Sequence, residues 1–172
     1  MSEDLKTSIV LYGSMNQEEM DLWSWVQYVN DFSEALGFPP THLEVDGDSY
    51  KTSNIISLKR TLKKLKTVIE KKEKIDFITL YSLPEEFTQA VFDFDTFLCI
   101  DLSPENPFIL ISIPKNSFNK LNEKEVIKNL SKYIKITDGE IFDMSVLECP
   151  FTYVSKMNPP SHYKSLNILK KL

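Results

Sequence analysis

Between Asp76 and Ile113 three apolar runs follow one another with only short, proline-marked connections, and that spacing constrains the fold more than any other feature. The runs are Asp76 to Leu83, Ala90 to Leu102 and Phe108 to Ile113, punctuated by Pro84, Pro104, Pro107 and Pro114. Parallel neighbours need a crossover of a dozen or more residues, longer than these turns, so the runs read as an antiparallel meander. Ala90 to Leu102 has room for two strands or one bent one.

Upstream, Ser8-Ile9-Val10-Leu11-Tyr12 reads as a buried strand stopped by Gly13. Ser14 with Gln17, or Asn16 with Glu19, offers the reciprocal capping arrangement for a first helix. Met20, Trp23, Tyr28, Phe32 and Leu36 recur near helical spacing until Gly37 and Pro39-Pro40 end the run. His42 to Val45 alternates as a short strand, and Asp46-Gly47-Asp48 marks a turn. A second helix is expected from Ser53 or Asn54, with Ile55, Ile56, Leu58, Leu62, Leu65, Val68 and Ile69 on its inner face and lysines outside. Asn122 with Glu125 announces a third helix over Val126 to Ile134. Gly139 to Leu147 and Cys149 to Val154 read as two further strands.

This order predicts an α+β fold: a mainly antiparallel β-sheet with about three helices packed largely on one face. The chain of 172 residues has no repeat and no long linker, so residues 1–172 read as a single domain, with 156–172 a C-terminal tail or short helix. No apolar run approaches the ~20 residues needed to span a bilayer, and the amino terminus lacks a basic segment followed by an apolar one. With two isolated cysteines, Cys99 and Cys149, the expected residence is cytoplasmic and the expected contact with membranes none.

Charge is sorted into blocks. Residues 1–50 hold ten acids and one lysine, whereas 51–74 hold nine bases and two acids. Residues 75–114 hold seven acids and no base. In Val91-Phe92-Asp93-Phe94-Asp95, alternation sends the phenylalanines to one side and the aspartates to the other, predicting an apolar inner sheet face and a carboxylate-bearing outer one. Glu85, Glu86, Asp101 and Glu105 lie at the adjoining strand ends. Such a surface attracts a basic partner, because summed charge steers association. The same acids also serve simply to keep an exposed sheet soluble and unpaired at its edges.

Catalytic and cofactor signatures are missing. His42 and His162 have no neighbour at metal-ligand spacing, the cysteines form no CxxC pair, and Asp46-Gly47-Asp48 lacks the rest of a calcium loop. Glycine-rich phosphate loops and a GxSxG elbow are absent too, so the expectation is no catalytic residue, no metal and no cofactor. The lysine-rich stretch at 59–74 invites a nucleic-acid reading, but Arg60 is the only arginine and the chain is acidic overall, so no nucleic acid is expected. Among the aromatics, Trp23 is assigned to the core. Trp25, two residues on, points to another helical face and is taken as an exposed interface anchor.

The chain resembles bacterial immunity proteins encoded beside polymorphic toxins of contact-dependent or type VI secretion systems. The features that carry the resemblance are the compact acidic α+β plan, an opening strand followed by Met20-Asp21-Leu22-Trp23-Ser24-Trp25, and the Gly139-Glu140-Ile141-Phe142-Asp143 strand with Pro150 and Tyr153. What it implies is a stoichiometric inhibitor of a cognate protein toxin, a basic nuclease among the candidates. Glu85, Glu86, Asp93, Asp95, Asp101, Glu105 and Trp25 are the residues expected to meet it. The alternative is a small-ligand-binding protein or enzyme whose pocket is assembled from scattered residues around His42, Cys99 or the aromatic helix. A homo-oligomeric scaffold is a third.

Overall fold

The computed structural model describes residues 4–51, 54–85 and 94–172. Among them eight strands form one antiparallel sheet: β1 (Leu5–Ser14), β2 (His42–Gly47), β3 (Ile56–Ser57), β4 (Ile75–Ser82), β5 (Thr96–Asp101), β6 (Phe108–Pro114), β7 (Lys135–Ser145) and β8 (Asn167–Lys171). Their order is β3-β2-β4-β5-β6-β1-β7-β8. Five helices accompany them: α1 (Leu22–Ala35), α2 (Leu58–Glu70), α3 (Lys115–Phe118), α4 (Glu123–Leu130) and α5 (Pro150–Val154). The architecture is the α+β, mainly antiparallel one that the short connections predict, with β4, β5 and β6 as the meander.

One sheet face carries Ile9, Leu11, Leu80, Leu98, Ile100 and Ile111, packed under Val26 and Val29 of α1, Leu65 and Val68 of α2, and Val126 and Leu130 of α4. Each fully buried aliphatic side chain here contributes roughly 1.5–3 kcal/mol of transfer free energy. The helix starts follow local hydrogen-bonding chemistry. Asp21 caps α1 by accepting from the Ser24 amide at 2.9 Å, whereas Asn16 closes a separate turn upstream, accepting from the Glu18 amide at 3.1 Å. Gly37, at φ +91°, ends the segment in a conformation that costs glycine nothing. The second helix begins later than the expected Ser53 or Asn54, because Ile56 and Ser57 are drawn into pairing with Leu43 and His42. Asn122 caps α4 at the Glu125 amide, as its spacing predicts.

The opposite face is not the expected carboxylate layer. All six residues of β5 are buried, and Phe97, Cys99, Phe108 and Phe142 join Tyr153 and Val154 of α5 and Tyr163 in a second apolar cluster. Phe151 packs its ring against those of Phe77, Phe97 and Phe108, with centroids 5.9–6.4 Å apart. The expected strand over Cys149 to Val154 is therefore a helix. Pro150 sits in its first turn, where a missing N–H costs nothing and the proline φ is already helical.

The carboxy-terminal residues also differ from a tail or short helix. After one 3-10 turn at Pro160–His162, β8 pairs with β7, supplying backbone partners that β7 would otherwise expose at an open edge. The Leu172 amide closes on the Gly139 carbonyl at 2.9 Å.

Candidate functional site

Trp25 is fully buried, which corrects its assignment as an exposed anchor. The inner stripe of α1 is Leu22, Trp25, Val26, Val29 and Ser33, so Trp25 lies at its centre. The Met20, Trp23, Tyr28, Phe32 and Leu36 series flanks that stripe as partly buried neighbours of the core. Because aromatic residues populate both stripes, hydrophobicity alone selected the wrong phase.

The acidic candidates do not form one patch. Glu86 and Asp93 lie outside the described residues. Glu85 and Asp95 stand at one end of the β4–β5 pair, where the Asp95 amide donates to the Ser82 carbonyl at 2.7 Å. Asp95 also accepts the Lys6 ammonium at 2.9 Å on its backbone carbonyl. Asp101 and Glu105 belong to the other end, roughly 20 Å away at ~3.3 Å per strand residue. Asp101 is buried. Its Oδ1 accepts from the Ser103 amide at 2.9 Å and from the Ser103 hydroxyl.

The Asp101 end also holds acids of β2 and the turn after it. Pairing places Asp46, Phe77, Asp101 and Phe108 side by side on four adjacent strands. Glu44, two residues before Asp46, shares its side of β2. A bulge follows Asp46, and at Gly47 a β-carbon would stand 2.5 Å from the Lys74 carbonyl. Only glycine permits that approach, and it lets the Asp48 amide reach the same carbonyl at 3.1 Å. Asp48 and Glu105 are both exposed.

Among the described residues four ion pairs occur: Lys66–Glu70, Lys74–Asp76, Lys115–Asp143 and Lys170–Glu123. Asp46, Asp48, Asp101 and Glu105 take part in none of them. Among the described residues the α2 lysines therefore leave these four carboxylates without an ion pair.

A groove of about 590 Å³ opens at the same end of the sheet, between the approach to α1 and the end of α2. Met20, Leu22, Trp23, Ile69 and Ile75 supply its apolar lining; Glu18, Asp21, Glu70, Lys72, Glu73 and Lys74 form its polar part. The Lys66 ammonium lies 5.7 Å from the Trp23 ring centroid and 4.0 Å from Glu70. The Lys74 carbonyl accepts the Asp48 amide at 3.1 Å, so the groove, on the helix-covered side of the sheet, adjoins the turn that follows Gly47.

Burial pushes the thiols of Cys99 and Cys149 up from their ordinary range, which keeps them protonated and poorly reactive. The His42 Nδ1 is 2.8 Å from Thr41 Oγ1, and His162 is exposed with its ring edge-on to Tyr163. Among the described residues no group of three or more His, Cys, Asp or Glu side chains is placed to hold a metal ion. No described helix is long and apolar enough to cross a membrane. Compared with protein-family models, with curated protein sequences and with solved structures, the chain matches none.

Proposed function

We propose that this chain is a protein-binding immunity protein, which neutralises a cognate, basic toxin by stoichiometric binding in the cytoplasm through the acidic end of its sheet. The observation that supports the reading is the gathering of Asp46, Asp48, Asp101 and Glu105 at that end, outside every ion pair among the described residues. Carboxylates without an internal countercharge concentrate positive partners and accelerate productive encounter. Carboxylates also occupy the ground that phosphates take on a basic nuclease, so one surface both steers the partner and blocks it.

The test is co-production with the protein of the neighbouring reading frame, scored by survival of the host and by association kinetics of the purified pair. The Asp48→Lys/Glu105→Lys variant changes two exposed positions and leaves the core untouched. Its association rate is expected to fall about tenfold at low salt, with an unchanged melting temperature. Unprotected cells, or kinetics indifferent both to these substitutions and to salt, would overturn the reading.

A further inference from the structure

We infer that the groove beside Trp23 receives one bulky apolar side chain of the partner, flanked on the partner by lysine or arginine. This rests on the reading of the chain as a binder of a basic protein and adds where that partner is anchored. The volume of about 590 Å³ lies within the ~300–1,000 Å³ range of occupied pockets. Of its apolar lining, Met20, Trp23 and Ile69 are half-buried and so open to a visitor while backed by the core.

The rim selects the visitor's charge. Four carboxylates, Glu18, Asp21, Glu70 and Glu73, line the groove with the ammonium groups of Lys72 and Lys74, and Glu70 is already paired with Lys66 at 4.0 Å. Lys74 is already engaged with Asp76 at 3.7 Å. Glu18 and Asp21 are both exposed and in no ion pair among the described residues. An apolar anchor bracketed by bases would thus bury its side chain on the floor and set its charges against the rim. A glutamate-flanked anchor would meet like charge. The charged lining residues are exposed, Glu73 alone being half-buried, while the apolar ones are half-buried or buried, which suits a side chain entering from a protein surface better than a polar metabolite.

The experiment uses the full chain and an acetylated, amidated Gly-Lys-Phe-Lys-Gly peptide, followed by the indole N–H resonance of Trp23. Trp25, sealed in the core, serves as the internal reference. A saturable shift at Trp23 is expected, at least tenfold weaker when glutamate replaces the peptide's lysines or glycine replaces its phenylalanine. Ile69→Trp, filling the floor, is expected to abolish the shift. Glu18→Lys, on the exposed rim, is expected to weaken it without touching the core. An unsaturable response, or equal binding of the glutamate peptide, would overturn the inference. If the peptide fails while Asp48→Lys/Glu105→Lys still slows the toxin, only the groove assignment falls. If the peptide binds but no toxin is captured, the immunity reading falls instead.

Discussion

Tyr81 donates its hydroxyl proton to Glu44 Oε2 at 2.7 Å, a diagonal contact between β4 and β2 that ties the acidic margin of the sheet to its aromatic face. Tyr153 makes the equivalent bond to Glu140 at 2.7 Å, and Tyr12 reaches the Val154 carbonyl at 2.8 Å. Three phenols thus fasten the second face, two of them to carboxylates.

These phenols give the fold an alkaline limit. Burial, with the neighbouring carboxylates adding to it, raises the titration of Tyr81, Tyr12 and Tyr153 well above the ordinary tyrosine value of 10.0. The unfolded chain releases these protons near pH 10 while the folded chain keeps them, so the folded state binds more protons and stability falls as pH rises above that point. Below pH 10 their contribution is fully present. Urea midpoints are expected to be flat in this respect up to about pH 9.5 and to drop steeply beyond it, with a shallower drop in Tyr81→Phe. An equally steep drop in that variant would show that other groups set the limit.

The two tryptophans are expected to separate in stability measurements. Trp25→Ala empties a fully buried site and should cost about 3–5 kcal/mol. Trp23→Ala removes a half-buried ring and should cost no more than about 2 kcal/mol. Because the Trp25 Nε1 has no hydrogen-bond partner among the described residues, Trp25→Phe should cost less than Trp25→Ala. Urea denaturation of the three variants checks the order.

Asp143 is almost fully buried and accepts from the Thr7 hydroxyl at 2.6 Å while the Lys115 ammonium pairs with its other oxygen. Lys115→Met would strand that carboxylate. A loss of about 3 kcal/mol is expected, the low end for a broken buried pair because Lys115 itself is partly solvated. Asp143→Asn retains an acceptor for Thr7 and should cost less. The reverse order in equilibrium unfolding would mean the carboxylate is better solvated than its surroundings indicate.

Thiol labelling should follow burial. Cys99 is completely enclosed and its thiol is raised further by desolvation, so at pH 8 a water-soluble disulfide reagent is expected to modify it only on unfolding. Cys149 is partly accessible and should react first, but more slowly than a free thiol. Rapid labelling of Cys149 in the native protein would reopen the case for a reactive cysteine.

Local chemistry in the sequence determined the kinds of element present: β-branched runs between prolines and the Asn122 cap act within a few residues of themselves, and the Asp46-Gly47-Asp48 signal ends β2 at Gly47, with the turn at Asp48-Ser49. The α+β class followed, because short connections leave antiparallel pairing as the available arrangement. What covers each face of a strand is a long-range property. Phe97 and Cys99 alternate with Leu98 and Ile100, and that apolar run is compatible with one covered face or two until α5 docks upon it. The same holds for the site. Asp46 and Asp101 are 55 positions apart by their numbers and become near neighbours only through the pairing of each strand with Phe77 between them, whereas Asp95 and Asp101 lie close in sequence and end ~20 Å apart because a strand is extended. Sequence proximity measures contour length; only the register of the folded sheet decides which charges share a surface.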